Sequence, residues 1–233
     1  MDLEALTFDV FGTVVDWRRS IAREIEAFAV ERGLEVDGNA FALAWRARYQ
    51  PAMERVRSGN MDFVKLDVLH RWNLDEVLAE FAMDDVGEEE RVELNRAWHR
   101  LDPWPDVVEG LTRLKTRFTL ATVSNGNVAL MVNMAKRAGL PWDVILGAEV
   151  ARYYKPQPEA YSLTADFLGL DPGRCLMVAA HENDLAAAAA CGFCTAYVHR
   201  PTEYDDDDKA MPAGDAFDLV VDDFVALALA LDA

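Results

Sequence analysis

The sequence has few cysteines and no long apolar segment. Its three cysteines are too few, and odd in number, for a disulfide framework, which favours a reduced, cytoplasmic setting. No apolar run approaches the roughly 20 residues that cross a bilayer. The first residues have neither the basic stretch nor the cleavage site of a signal peptide. We therefore expect a cytoplasmic protein without a membrane-spanning segment.

Positive charge is also scarce. The chain has 23 lysines and arginines against 41 aspartates and glutamates, which gives a formal net charge of −18. Such a surface repels nucleic acid phosphates and anionic membranes, so we expect neither as a partner. The same charge would repel an anionic substrate at long range, so a site for one needs its own local cations.

Strand-like and helical segments alternate through most of the chain. Between Trp17 and Trp98, however, only helical periodicity is present. This order predicts an α/β fold, a doubly wound parallel sheet with a small helical cap inserted after the first strand. We place the core at residues 1–15 and 99–233 and the cap at 16–98. The predicted strands are 6–9, 119–125, 144–150, 175–180, 195–199 and 218–223.

Two further segments have distinctive compositions. Residues 202–215 contain four consecutive aspartates and no apolar period, which predicts a mobile surface loop. Cys191 and Cys194 have the spacing of a redox or zinc pair, but a second pair is missing. We interpret them as the end of a helix, terminated at Gly192, and the start of a strand.

Polar residues follow four of the predicted strands. In open α/β sheets, ligands bind beyond the carboxyl ends of the strands, so these residues are expected to share one site. They are Asp9 after the first strand, Ser124 and Asn125 at the end of the second, Lys155 beyond the third, and His181 and Asp184 after the fourth.

These strand ends carry a family resemblance. Residues 9–13 (DVFGT), 124–126 (SNG), 154–156 (YKP) and 178–188 (VAAHENDLAAA) resemble the four motifs of the haloacid dehalogenase superfamily. The chain is most similar to its type II 2-haloacid dehalogenases, because residues 43–50 (LAWRARYQ) also resemble the cap helix that carries their substrate arginine. The resemblance covers essentially the whole chain and implies a Rossmann-like core with a helical cap.

Two departures from the superfamily pattern are informative. Phosphatases of the superfamily have a second aspartate that protonates the leaving alcohol, and here that position is Phe11. They also have an aspartate that binds Mg²⁺, and here that position is Ala180. A halide leaving group needs neither a proton nor a metal. The resemblance therefore implies hydrolysis of a 2-haloalkanoic acid to a 2-hydroxy acid with no metal and no other cofactor.

The resemblance also implies catalytic roles. Asp9 would attack the halogen-bearing carbon and form an ester. Thr13 would donate a hydrogen bond to Asp9, and Lys155 would keep its carboxylate ionised. Asp184 would position or activate the water that cleaves the ester.

Five more residues are expected to bind the substrate or the halide. Arg46 would neutralise the departing halide or the substrate carboxylate; the alternative is a surface arginine on an amphipathic helix. Ser124 and Asn125 would donate hydrogen bonds, and Tyr161 would hydrogen-bond the site or belong to the core. Phe11 would line an apolar pocket, together with other aromatic residues, namely Trp17, Trp45 and Tyr49.

His181 takes the place of an asparagine in the usual dehalogenase motif. A neutral imidazole would accept a proton near pH 7 and donate one hydrogen bond, which suits the hydrolytic step or a small halide such as fluoride. The alternative is that His181 fills the space of the asparagine.

Alternative functions for the protein stay open at this point. They are a hydrolase of another small 2-substituted acid, a Mg²⁺-dependent phosphatase, and a small-acid binding protein without turnover. The family often forms dimers, so the resemblance implies a homodimer. It also implies a preference for the S acid. The sequence does not specify the halide, the chain length or the physiological substrate.

Overall fold

The computed structural model describes residues 2–204 and 210–233. The predicted acidic loop therefore falls partly outside the described residues, at Asp205–Lys209. The described strands are β1 (Ala5–Phe8), β2 (Val15–Asp16), β3 (Asp102–Pro103), β4 (Thr119–Ser124), β5 (Val144–Gly147), β6 (Cys175–Ala179), β7 (Cys194–Val198) and β8 (Leu219–Val221). Six of them form one parallel sheet in the order β5-β4-β1-β6-β7-β8, and β2 pairs with β3 antiparallel.

Helices fill the connections between the strands. Between β2 and β3 lie α1 (Trp17–Glu31), α2 (Gly38–Ala47), α3 (Tyr49–Arg57), α4 (Leu66–Glu80), α5 (Glu88–Asn95) and a 3₁₀ turn (Arg96–His99). Later come α6 (Val107–Leu114), α7 (Val128–Ala138), α8 (Ala148–Ala151), α9 (Pro158–Leu168), a 3₁₀ turn (Pro172–Arg174), α10 (Glu182–Ala190) and α11 (Phe224–Ala230).

The sheet is covered on both faces because successive side chains of a strand point to opposite sides. Leu6 and Phe8 of β1 pack into a core cluster with residues of α6, α7 and α11. Ala5 of the same strand packs into a second cluster with residues of α9 and α10. Apolar residues on both sides of each strand therefore produce the doubly wound arrangement, and the predicted fold class is confirmed.

Local sequence explains most helix boundaries. Gly33 and Gly59 follow α1 and α3 with φ of +67° and +75°, values that favour glycine at a helix end. The helical pattern across residues 40–59 breaks at Arg48, so that Pro51 falls in the first turn of α3, where a missing N–H costs nothing.

One predicted strand is wrong in extent. The segment 144–150 is a strand only to Gly147, where φ is +134°, and the chain then turns into α8. A residue with a side chain would collide there with the backbone of Ser124. The division into a core and a cap at residues 15/16 and 98/99 stays a prediction. No helix in the described residues is long and apolar enough to cross a membrane.

The cysteine pair matches its structural interpretation. α10 ends at Ala190, Gly192 has φ of +89°, and β7 begins at Cys194. Both cysteines are free thiols.

Candidate active site

The polar strand ends meet at one edge of the sheet. Because β1 lies between β4 and β6, Asp9 emerges at the centre of that edge, with the loops after β4 and β6 on either side. The register pairs Phe8 with Thr122 on one side and with Val178 on the other. This topology brings residues more than 140 positions apart into hydrogen-bonding distance, as Lys155 and Asp9 are.

Asp9 is buried and accepts three hydrogen bonds from described side chains. Lys155 Nζ donates to Oδ1 at 2.9 Å, while Thr13 Oγ1 and His181 Nδ1 lie 2.7 Å and 3.0 Å from Oδ2. Burial alone would raise the pKa of Asp9, but the charge of Lys155 and the contacts with His181 and Thr13 lower it well below its usual range. Asp9 is therefore an ionised carboxylate.

Lys155 joins two carboxylates. Its Nζ also donates to Asp184 Oδ2, and Tyr161 Oη donates to Asp184 Oδ1 at 2.5 Å. Burial opposes the charge of Lys155, but Asp184 and Asp9 outweigh it and raise the lysine pKa. Burial and the neighbouring Asp184 raise the pKa of Tyr161, so this side chain stays a phenol and a donor.

His181 differs from the neutral base expected from the sequence. Its Nδ1 faces Asp9, and its Nε2 lies 3.0–3.1 Å from both carboxylate oxygens of Glu203. Burial favours the neutral ring, but Glu203 and Asp9 raise the pKa of His181 to about 10. These contacts favour an imidazolium at neutral pH over the neutral ring considered from the sequence, and the role of His181 in the reaction stays a prediction.

A cavity of about 640 Å³ opens above Asp9. Arg46, from the last turn of α2, reaches it, and its guanidinium carbon lies 4.0 Å from the ring centroid of Tyr49 and 5.2 Å from that of Trp17. Its Nη1 is buried and has no hydrogen-bond partner among the described residues. The predicted site residues that line the cavity are Asp9, Phe11, Arg46, Asn125, Lys155, Tyr161, His181 and Asp184.

Some predicted site residues lie next to the residues that line the cavity but do not line it themselves. Ser124 is buried, and its hydroxyl accepts the N–H of Gly126 at 3.0 Å. The Thr13 hydroxyl donates to Asp9 Oδ2 and accepts a hydrogen bond from the backbone N–H of Ala180, with 2.9 Å between N and Oγ1. Of the other aromatic residues, Tyr49 lines the cavity, whereas Trp17 and Trp45 are core residues.

The residues present do not suit a divalent cation. Among residues 2–204 and 210–233, no group of three or more histidine, cysteine, aspartate or glutamate side chains is placed to hold a metal ion. Phe11 and Ala180 offer no side-chain oxygen at two positions of the site, and a hard cation requires several oxygen ligands.

Sequence reasoning missed Glu203 and Tyr204. Both follow β7, another strand of the same sheet, so the rule that ligands bind beyond strand ends could have indicated them. In the sequence they belong to the acidic segment 202–215, whose composition indicates only a mobile surface loop. In the structure Glu203 is 2% exposed, and Tyr204 lines the cavity.

Comparisons with known proteins agree with this geometry. A family model described as a haloacid dehalogenase-like hydrolase matches residues 3–192. (S)-2-haloacid dehalogenase 1 of Pseudomonas sp. (strain CBS-3) is 29% identical over 216 residues, covering 87% of this chain and 88% of the relative. The crystal structure of a defluorinating L-2-haloacid dehalogenase is 50% identical, with a TM-score of 0.95 and coverage of 99% and 96%. A second L-2-haloacid dehalogenase structure is 40% identical, with a TM-score of 0.93 and 99% coverage of both chains.

Proposed function

The chain belongs to the haloacid dehalogenase-like hydrolases, and from this premise we propose that it hydrolyses small 2-haloalkanoic acids to 2-hydroxy acids through an ester on Asp9. The observation that carries the proposal is the placement of an ionised, buried Asp9 at the floor of a cavity with the cation of Arg46 in its wall. A carboxylate nucleophile and a local cation are what displacement of a halide from an anionic acid requires.

In the first step, a lone pair of Asp9 attacks C2 of the acid opposite the halogen. The new O–C2 bond forms as the C2–halogen bond breaks, and the halide leaves with the bonding electrons. Arg46 supplies positive charge for the halide or the substrate carboxylate, and Asn125 supplies an amide donor. Asn125 Oδ1 is held by the backbone N–H of Lys155 at 2.8 Å, which leaves its NH₂ group to donate.

In the second step, water attacks Cγ of the Asp9 ester. Asp184 is the carboxylate that receives a proton from this water, and it is held by Lys155 and Tyr161 beside Asp9. The Cγ–O bond of the ester breaks, the hydroxy acid takes one proton, and the other goes to solvent. Because C2 reacts only in the first step, its configuration inverts once, so an S haloacid gives an R hydroxy acid.

Fluorinated acids are proposed as substrates too. The 50% identical structure is described as defluorinating, and in this chain the cavity is lined by Arg46, whose Nη1 has no hydrogen-bond partner among the described residues. Fluoride is small and strongly hydrated, so concentrated hydrogen-bond donors favour its departure.

Halide release tests these proposals. The protein is incubated with chloro-, bromo- and fluoroacetate and with each enantiomer of 2-chloropropionate, with and without EDTA. We expect equal amounts of halide and hydroxy acid from at least the chlorinated and brominated acids, unaffected by EDTA, and none from Asp9→Asn. Mg²⁺-dependent hydrolysis of phosphate esters in place of halide release would contradict the proposal, as would binding of haloacids without turnover.

Assembly and location are proposals as well. A homodimer follows from the family resemblance and is tested by light scattering of the purified protein. A cytoplasmic location follows from the cysteine content and is tested by cell fractionation.

A further inference from the structure

We propose that Glu203 is a positioning residue for ester hydrolysis: it holds His181 as a doubly protonated donor to Oδ2 of Asp9. The inference rests on the proposed function and deepens it. It assigns His181 to the oxygen that becomes negative when water attacks the ester, and it gives Glu203, which has no place in the four motifs, a part in the reaction.

The first argument concerns the hydrogen-bond donors and acceptors at the imidazole ring. His181 Nδ1 lies 3.0 Å from Asp9 Oδ2, and Nε2 lies 3.0 Å from Glu203 Oε2. An ionised carboxylate only accepts hydrogen bonds, and a neutral imidazole has only one N–H. The pKa values of Asp9 and Glu203 are both lowered, so both side chains are carboxylates, and both contacts are satisfied together only when both ring nitrogens donate. The distances and the two charges together therefore favour the imidazolium.

The second argument is that the carboxylate of Glu203 is fixed. Trp17 Nε1 donates to its Oε1 at 3.0 Å, and Arg18 Nε donates to its backbone carbonyl at 3.0 Å. The carboxylate lies against Gly12, where an added Cβ would be only 2.0 Å from Oε1. Gly12 has φ of +87°, so both the backbone and the space favour glycine there. The carboxylate that contacts His181 Nε2 is therefore fixed in position.

The third argument concerns the two oxygens of Asp9. Among the described residues, Oδ1 accepts from Lys155, whereas Oδ2 accepts from both Thr13 and His181. The less engaged Oδ1 is the better nucleophile, so the ester forms through Oδ1 and Oδ2 becomes its carbonyl oxygen. When water attacks Cγ, the C=O electrons move to Oδ2, where two donors already point. Collapse restores the C=O bond and breaks Cγ–Oδ1.

Preorganised donors of this kind act on the transition state and not on the resting carboxylate. Removing one donor from an oxyanion typically slows a reaction about 100- to 1000-fold. The same donors draw electron density from Asp9 and do not help it attack C2. Loss of His181 or Glu203 is therefore expected to slow hydrolysis of the ester and to spare its formation.

The charges around His181 define the pH dependence. Asp9 and Glu203 face the ring; Lys155 faces Asp9, and Arg46 lies near Glu203. Because the pKa of His181 is raised to about 10, the doubly protonated ring is present at lower pH and loses its positive charge and one N–H as the pH rises through that value. Without the charge of Glu203 the pKa falls towards the ordinary value of about 6.5, so the charged donor is lost at lower pH.

A double-mutant cycle tests the inference. Glu203→Gln, His181→Ala and the double variant are compared with the wild type, and Glu109→Gln, an exposed glutamate on α6, is the matched control. With chloroacetate, each of the three variants should release a burst of about one halide per active site and then turn over roughly 10- to 1000-fold more slowly. In the His181→Ala background, Glu203→Gln should change the steady rate less than about 3-fold. In Glu203→Gln, the alkaline limb of the pH–rate profile for turnover should move to lower pH.

Other results would overturn it. Glu203 would be a purely structural residue if the rate losses of the two substitutions multiplied in the double variant. The same would follow if the alkaline limb of the pH–rate profile were unchanged in Glu203→Gln. A lost burst would place His181 in halide departure. NMR of the His181 ring in the wild type gives a test that does not depend on whether the variants fold. A ring with only one N–H at pH 8 would refute the inference. A wild type that releases no halide would instead refute the proposed function itself.

Discussion

Replacing Arg46 by alanine should reduce kcat/KM for 2-haloacids by roughly 30- to 1000-fold. The substitution removes a cation whose Nη1 is buried at the cavity without a hydrogen-bond partner among the described residues. A charge-assisted hydrogen bond to a halide or carboxylate in such an enclosed site contributes about 2 to 4 kcal/mol, which converts to that range of rates. Arg46→Lys should rescue poorly, because lysine lacks the planar guanidinium that stacks on Tyr49.

Arg48 is the matched control. It lies two residues along the chain at the end of α2, and its guanidinium pairs with Glu76 and Glu80 on the surface. Surface pairs contribute about 0 to 1 kcal/mol, so Arg48→Ala should keep nearly full activity. Halide release is measured under initial-rate conditions, and thermal melting shows whether each variant is folded. A folded Arg46→Ala with near-normal kcat/KM, or a large loss in Arg48→Ala, would refute the assignment of the site cation.

Two further predictions concern the intermediate. In a single turnover in ¹⁸O-labelled water, the label should enter Asp9 and not the hydroxy acid, because water attacks Cγ; label found directly in the product would make water the nucleophile at C2. Asp184→Asn should still release about one halide per active site and then stop with the acyl group on Asp9, detectable by mass spectrometry; continued turnover would assign the base elsewhere.

Much of the fold and part of the site could be predicted from local sequence. The alternation of strand and helix patterns indicates a doubly wound sheet, and the polar residues after the strands indicate its carboxyl edge as the site. Compared with the motifs of the superfamily, Phe11 and Ala180 argue against phosphatase chemistry, since neither side chain can transfer a proton or bind a cation. These properties depend on residue type and spacing, which are local.

The rest depended on tertiary structure. Arg46, in the last turn of α2, and Arg48, directly after that helix, are two positions apart and look alike in sequence. Residues two positions apart in a helical turn point in nearly opposite directions, and of the two only Arg46 lies at the cavity. The state of His181 depended on Glu203, a residue from a segment whose composition suggested a solvated loop. The protonation of an imidazole is set by charges within a few ångströms, whichever part of the chain supplies them, and only the folded chain brings Asp9 and Glu203 to opposite sides of one ring.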